Sequence, residues 1–274
     1  MTAAATINLD HLALASQYAF DNFVRYYGEL GGRLGHGGLD PGFYFSQLLF
    51  PTPDGGQLTI ELLEPRDPKI DDFLHRFLDR NGPGPHHLTF KVSDAASLLA
   101  RADAAGYPPV GVDLSNPEWK VGYLHPKQSH GIVVQLAQSE NTDETLPDDS
   151  GLAPSKAARP AELRQVVHSV ADLAAADALF EGLLGGERTG DGRDALGPWI
   201  DLRWPAGGIL RLVEPTQPAA RAWMGGRLGR VHHVLLAVDE PALSEAARPL
   251  PDESGAWEVA PEYNLGTRLR LVRR

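Results

Sequence analysis

The 274-residue chain contains no cysteine. Disulfides, thiolate metal sites, iron–sulfur clusters and cysteine nucleophiles are therefore outside its chemistry. No apolar run approaches the roughly 20 residues needed to span a bilayer. The opening stretch, MTAAATINLDHLALAS, lacks the basic start and long apolar run of a secretory signal. The expectation is a cytoplasmic protein without a membrane partner. Basic residues are in the minority, 25 Lys and Arg against 36 Asp and Glu, for a formal net charge of -11. That balance argues against nucleic acid as a partner, because general binding to it requires many phosphates to be neutralised.

What remains is the composition of a globular protein, 42% hydrophobic and 22% charged, long enough for two ordinary domains. Its 29 glycines and 22 prolines sit at turn-like positions rather than in a period, which predicts many short elements with tight connections. Ile7 to Ser16 alternates as a strand. YAFDNFVRYYGELGG then places Phe20, Phe23, Val24 and Tyr27 at helical spacing before its closing glycines. A short edge around Arg33–Leu34 and strands at 43–50 and 57–64, joined by PTPDGG, complete the first set. The order then repeats: a strand at 87–92, a helix at 94–105 with Asp94 as N-cap and Gly106 as terminator, and strands near 110–113, 120–125 and 131–137.

Residues 141–160 are polar, aperiodic and dense in turn formers, and read as a linker between a module at 1–140 and another at 161–274. Beyond it the pattern returns, with strands at 163–170, 199–204 and 209–213, a helix at 173–184, and an abbreviated last copy from Val231. LTIELLEP corresponds to ILRLVEP, and HHLTFKV to HHVLLAV. The chain is thus an internal duplication of α+β type, each half built from two strand–helix–strand units.

Four polar residues interrupt the apolar strands of the first half: His11, Glu61, His87 and Gln135. Burying such groups unpaired costs several kcal/mol each. Each is open to a local hydrogen-bonding explanation. Taken together, two imidazoles, a carboxylate and an amide oxygen also suit one divalent ion, with Zn, Fe, Co, Ni and Mn all accepting such donors.

DHLALA, IELLEP, GPGPHHLTFKVSD and GYLHPKQSHGIVVQL resemble the corresponding stretches of the vicinal oxygen chelate superfamily, which includes glyoxalase I, methylmalonyl-CoA epimerase, extradiol dioxygenases and fosfomycin-resistance proteins. The likeness is nearest to the epimerase branch and covers about residues 7 to 137. It implies tandem βαβββ units, four in the chain, each pair forming a cup whose strands carry ligands inward. By that pattern His11, Glu61, His87 and Gln135 hold one divalent metal ion. The epimerases similar to this chain have the amide on the fourth strand and a glutamate on the eighth; here the two are exchanged. Gln135 cannot serve as a base, and the third strand offers Tyr44, Ser46 and Gln47 but no carboxylate. The resemblance therefore implies a metal-dependent isomerase or lyase acting on a small oxygenated metabolite, with Glu61 as proton carrier, rather than a two-base epimerase. The alternatives are an Fe(II)-dependent dioxygenase and a small-molecule binding or resistance protein without catalysis. Either a monomer or a homodimer is compatible.

Matching the copies sets His168 against His11, Arg211 against Glu61, His233 against His87 and Arg270 against Gln135. Guanidinium groups repel cations and carry no acceptor, so the second site is degenerate toward metal. Its arginines either clamp an anion or pair internally with Asp201, Glu214 or Glu258. Tyr44 and Gln47 on the third strand, and His125 and Lys127 at the HPKQSHG turn, are candidates to touch substrate, although Tyr44 equally reads as wall or core and the turn residues as surface. His86 and His232 precede the ligand positions and face away, in cap or turn roles. His36 lies in GGRLGHGGLD, whose glycines suggest a mobile loop.

Overall fold

The structure, a computed structural model, describes residues 6–139, 148–241, 244–251 and 255–274. Two eight-stranded sheets repeat one topology. In the first half, β1 (Ile7–Ala15), β2 (Arg33–Leu39), β3 (Phe43–Pro51), β4 (Gln57–Pro65), β5 (Gly84–Val92), β6 (Val110–Asp113), β7 (Trp119–Leu124) and β8 (Val133–Ser139) run in the order β2-β3-β4-β1-β5-β8-β7-β6. In the second, β9 (Glu162–Val170), β10 (Glu187–Arg193), β11 (Pro198–Arg203), β12 (Ile209–Val213), β13 (Gly229–Val238), β14 (Ala247–Pro249), β15 (Ala256–Val259) and β16 (Leu269–Arg273) follow the order β10-β11-β12-β9-β13-β16-β15-β14. Each sheet joins two βαβββ sets through its central strands, as expected of a duplicated α+β chain. Residues 141–147 of the expected linker lie outside the described residues. Its remainder, 148–160, forms turns with no helix or strand.

Helix α1 (Phe73–Asn81) and helix α4 (Pro218–Met224) lie in stretches that the sequence pattern leaves unassigned. Phe73, Phe77 and Leu78 of α1 pack with buried Leu74 against Ala13, Ala15 and Leu63, so the helix covers the β1–β4 face just beyond Glu61. Helix α2 (Ala95–Ala104) follows the expected N-cap, Asp94 accepting the Ser97 amide at 2.9 Å.

The helix near residue 20 departs from expectation. It begins as a 3₁₀ turn (Ala19–Asn22) and widens to a π-helix (Val24–Glu29), with the Leu30 amide reaching back five residues to the Arg25 carbonyl. The change of pitch rotates the buried face, so Tyr26 is enclosed and Val24 is exposed. Helix α3 (Leu173–Asp177) widens in the same way over Ala178–Leu183, a detail shared by both halves. The expected mobile loop at His36 is instead the edge strand β2, paired with β3 across a register shift between Leu34 and Gly37.

By proximity the chain forms two compact units, each taking one βαβββ set from each sheet. One takes the chain up to His11, the run from His87 through β8, and Val166–His232; in it Phe90 packs edge-on against Trp204 at 5.1 Å. The other takes Leu12–His86, the stretch that leads into β9, and His233–Arg274; in it the Asn264 amide donates to the Tyr26 hydroxyl at 2.9 Å. A glycine closes each unit. Gly131 (φ +87°) approaches so closely that a Cβ would stand 2.0 Å from the Gly229 carbonyl oxygen. Gly266 (φ +67°) would place one 1.9 Å from the Pro83 oxygen.

Gly266→Ala should therefore destabilise the protein by more than about 2 kcal/mol, since it combines left-handed backbone strain with a backbone clash. Gly106→Ala is the control, sharing positive φ with nothing near its Cβ. Equal denaturant midpoints for the two variants would contradict the close approach.

Candidate metal centre

Strand alternation puts the site on one face of the first sheet. In register, Gln47 opposes Glu61, Thr89 opposes Gln135 and Gln135 opposes Tyr123, so these side chains share that face. His11, Glu61 and His87 are 3%, 7% and 7% exposed. One ligand atom from each lies within 4.8 Å of the others, and the two imidazole rings stand 5.5 Å apart at 67°. Atoms each about 2.1 Å from one ion can be separated by up to about 4.2 Å, so small side-chain adjustments bring all three into reach. The chemistry of the set agrees: two nitrogen donors and one carboxylate, buried together, form a cluster positioned to chelate a divalent ion.

Hydrogen bonds fix the donors. Gln47 Nε2 donates to Glu61 Oε1 at 3.0 Å. His11 Nδ1 meets Asp10 Oδ2 at 2.7 Å, and His11 Nε2 meets Thr89 Oγ1 at 2.8 Å. Thr89 Oγ1 is in turn 2.5 Å from the Gln135 amide, whose other end is 3.3 Å from the Tyr123 hydroxyl. Gln135 thus reaches the cluster through Thr89. Asp10, Thr89 and Tyr123 were not candidates from sequence. The available signals were the adjacency of Asp10 to His11 and the two-residue step from His87 to Thr89, which keeps both on one strand face. Burial raises the Asp10 pKa, but the His11 hydrogen bond, with the charges of His11 and Lys91, outweighs it and holds the carboxyl below its usual range.

The remaining candidates separate. Tyr44 opposes Glu64 on the other face of the sheet, beside Phe20 at 6.4 Å and beneath the Arg66 guanidinium at 5.0 Å. His125 and Lys127 stand in the turn after β7, where the His125 ring accepts the Lys127 amide at 3.2 Å. His86 lies edge-on against Phe73 and Phe77, at 5.5 and 4.7 Å. Burial pushes its pKa down to about 4 against the opposing charge of Glu61.

In the second sheet, Asp201 opposes Arg211 as Gln47 opposes Glu61, and Leu235 opposes Arg270 as Thr89 opposes Gln135. Arg211 forms two bonds to Asp201, at 2.7 and 2.8 Å, and stacks 3.9 Å over Trp199. Arg268 pairs with Glu258 at 3.2 Å. Glu214 instead accepts the Leu173 amide. His168, fully buried, donates Nε2–H to the His130 carbonyl at 2.8 Å. His233 is also buried, 6% exposed. Where the first cluster assembles a carboxylate with two imidazoles, the equivalent positions here carry an internally neutralised arginine.

Each half pairs two βαβββ sets in one sheet, the arrangement that the resemblance to the vicinal oxygen chelate superfamily implies, and the first half carries the candidate donor set. Residues 10–123 match the family described as the Glyoxalase/Bleomycin resistance protein/Dioxygenase superfamily. Among solved structures, a variant of 4-hydroxymandelate synthase from Streptomyces coelicolor is similar over 99% of this chain and 93% of its own, at 15% identity and a TM-score of 0.66. A hypothetical protein from Staphylococcus aureus covers 98% of this chain and all of its own, at 11% identity and a TM-score of 0.59. Methylmalonyl-CoA epimerase from Streptomyces coelicolor, solved as a variant with 2-nitronate-propionyl-CoA, is similar over 50% of this chain and all of its own, at 26% identity and a TM-score of 0.42. No curated protein matches the chain.

His168 gives the second half a pH signature. Burial, only partly offset by the bond to the His130 carbonyl, pushes its pKa down to about 4. An unfolded histidine titrates near 6.5, so between these values the unfolded chain binds more protons and stability rises with pH. The contribution is complete above about pH 6.5 and is lost as the pH falls to about 4, a change of about 3 kcal/mol. Denaturant titrations should show this slope in the wild type and a shallower one in His168→Leu. An identical slope in the variant would contradict a neutral buried imidazole.

Proposed function

We propose that the protein is a metal-dependent enzyme of the isomerase or lyase type, acting on a small oxygenated molecule at the His11–Glu61–His87 cluster. The observation that carries this reading is the burial of two imidazoles and one carboxylate within 4.8 Å of one another on one sheet face. His11, Glu61 and His87 would hold the ion, with Gln135 as the fourth candidate ligand beside them. A divalent ion there supplies Lewis acidity toward two neighbouring substrate oxygens.

The chain supplies the proton chemistry. Glu61 is the carboxylate of the cluster, and Gln47, its cross-strand neighbour, holds one of its oxygens in place. Gln47 and Gln135 neither take nor give protons at ordinary pH. Among the groups that touch the cluster by these bonds, Glu61 alone is a base, so a proton it removes from carbon would be returned by the same group, on the same side of the substrate. That suits a proton shift between neighbouring atoms or a β-elimination, and disfavours inversion at one carbon, which needs a base on each face. Tyr123, Lys91 and Trp119 continue this face beyond Gln135, with the Lys91 ammonium 4.0 Å above the Trp119 ring. They form the wall that a bound molecule would meet.

The donor set of two histidines and one carboxylate also favours a second reading, an Fe(II)-dependent dioxygenase. Metal analysis of protein purified without added metal, combined with oxygen-uptake measurements, distinguishes the readings. Zn, Co, Ni or Mn without oxygen uptake is the expected result. Stoichiometric Fe with substrate-dependent uptake would transfer the protein to the dioxygenase class. No metal even after soaking would leave a binding protein. His87→Ala should abolish metal binding, while His233→Ala should leave it intact. Glu61→Gln should lower turnover about 10²- to 10⁴-fold, the range of a lost general base, though lost metal affinity adds to it.

A further inference from the structure

Both ring nitrogens of His11 meet a polar side chain. Its Nδ1 faces the Asp10 carboxylate at 2.7 Å and its Nε2 faces the Thr89 hydroxyl at 2.8 Å. A carboxylate only accepts, so Nδ1 carries the hydrogen; in the neutral ring that metal ligation requires, Nε2 is then a bare lone pair. The Thr89 hydroxyl has a single hydrogen, which Nε2 takes. Thr89 Oγ1 must therefore accept, not donate, at its 2.5 Å contact with Gln135. The amide nitrogen of Gln135 faces Thr89, and its oxygen accepts the hydroxyl of Tyr123. Amide oxygen and nitrogen are interchangeable in placement, so this assignment follows from the network. Every bond in the chain Tyr123, Gln135, Thr89, His11, Asp10 then points the same way.

We propose that Asp10 is a positioning residue for the metal centre, fixing His11 in the tautomer that presents Nε2 to the ion, and that Thr89 is its counterweight, holding the same lone pair until the ion arrives. The inference rests on the metal reading above. Carboxylate partners of this kind typically contribute 10- to 100-fold to metal affinity by orienting the ring and raising its basicity. Asp10 stands one residue from the ligand, on the same strand, so no loop movement is needed to keep the bond. Thr89 is completely buried. Once Nε2 is engaged elsewhere, its hydroxyl has to turn to another acceptor. The two residues thus act on one nitrogen in opposite directions.

The test uses the full-length protein and Zn²⁺ or Co²⁺ in competition with a chromophoric chelator, with circular dichroism to verify folding. Asp10→Ala should weaken metal binding 10- to 100-fold. Asp10→Asn, whose Oδ1 still accepts from Nδ1–H, should recover part of the loss. Thr89→Val should bind metal as tightly as the wild type or several-fold more tightly. A purely structural role for both residues predicts that Asp10→Ala and Thr89→Val weaken binding alike, and that outcome overturns the proposal. So does wild-type affinity in Asp10→Ala. Nitrogen-15 NMR of the metal-free protein gives an independent reading: the Nδ1–H tautomer of His11 is expected in the wild type and lost in Asp10→Ala. If the wild type binds no metal, the functional reading fails, whereas an Nε2–H tautomer in the metal-free wild type sinks the Asp10 assignment by itself.

Discussion

The constraint that organises the first half is the cost of burying charge and polarity in a sheet interior. His11, Glu61, His87 and Thr89 are buried on one sheet face, with half-buried Gln135 beside them. Each must be satisfied by a neighbour, because an unpaired buried polar group costs roughly what several good contacts contribute. The structure meets this with side-chain bonds that cross strands: Gln47 to Glu61, Thr89 to His11, and Gln135 to Tyr123. Such a network holds donors at fixed angles without loops. That is what a metal centre requires of its scaffold.

The second half shows what the same backbone does when the donor set changes. The strand registers are preserved, so Arg211 takes the place of Glu61 and Asp201 that of Gln47. A guanidinium at the carboxylate position is compatible with the fold only because an acceptor faces it. The two bonds from Arg211 to Asp201, with Trp199 beneath, provide that neutrality. His168 turns its Nε2–H to the His130 carbonyl, a bond inside one compact unit rather than toward a ligand. Duplication has kept the packing and let the chemistry diverge.

Much of this was legible in the sequence. Strand positions, the Asp94 cap and the repeat of LTIELLEP as ILRLVEP follow from alternation, capping chemistry and simple matching, all of which are local. The buried face near Tyr26 is not legible from periodicity, which assumes 3.6 residues per turn, whereas this segment tightens and then widens. The edge strand at His36 is not distinguishable from a loop in the sequence, because glycine marks both loops and irregular edges. Tyr44 and Gln47 lie three residues apart on one strand and so fall on opposite faces, of which the Glu61 partner, Gln47, marks the one that carries the cluster.

By itself the sequence determined the residue types available: no thiolates, four polar residues set into apolar strands, and arginines where the second copy would need acceptors. Composition and spacing along one chain can settle such matters, because side-chain chemistry and strand alternation are local properties. Only the tertiary structure decided that His11, Glu61 and His87 meet, and that Asp10 and Thr89 hold the two nitrogens of one imidazole. Those facts depend on which strands lie side by side and in what register, and hydrogen-bonding between strands distant in sequence fixes both.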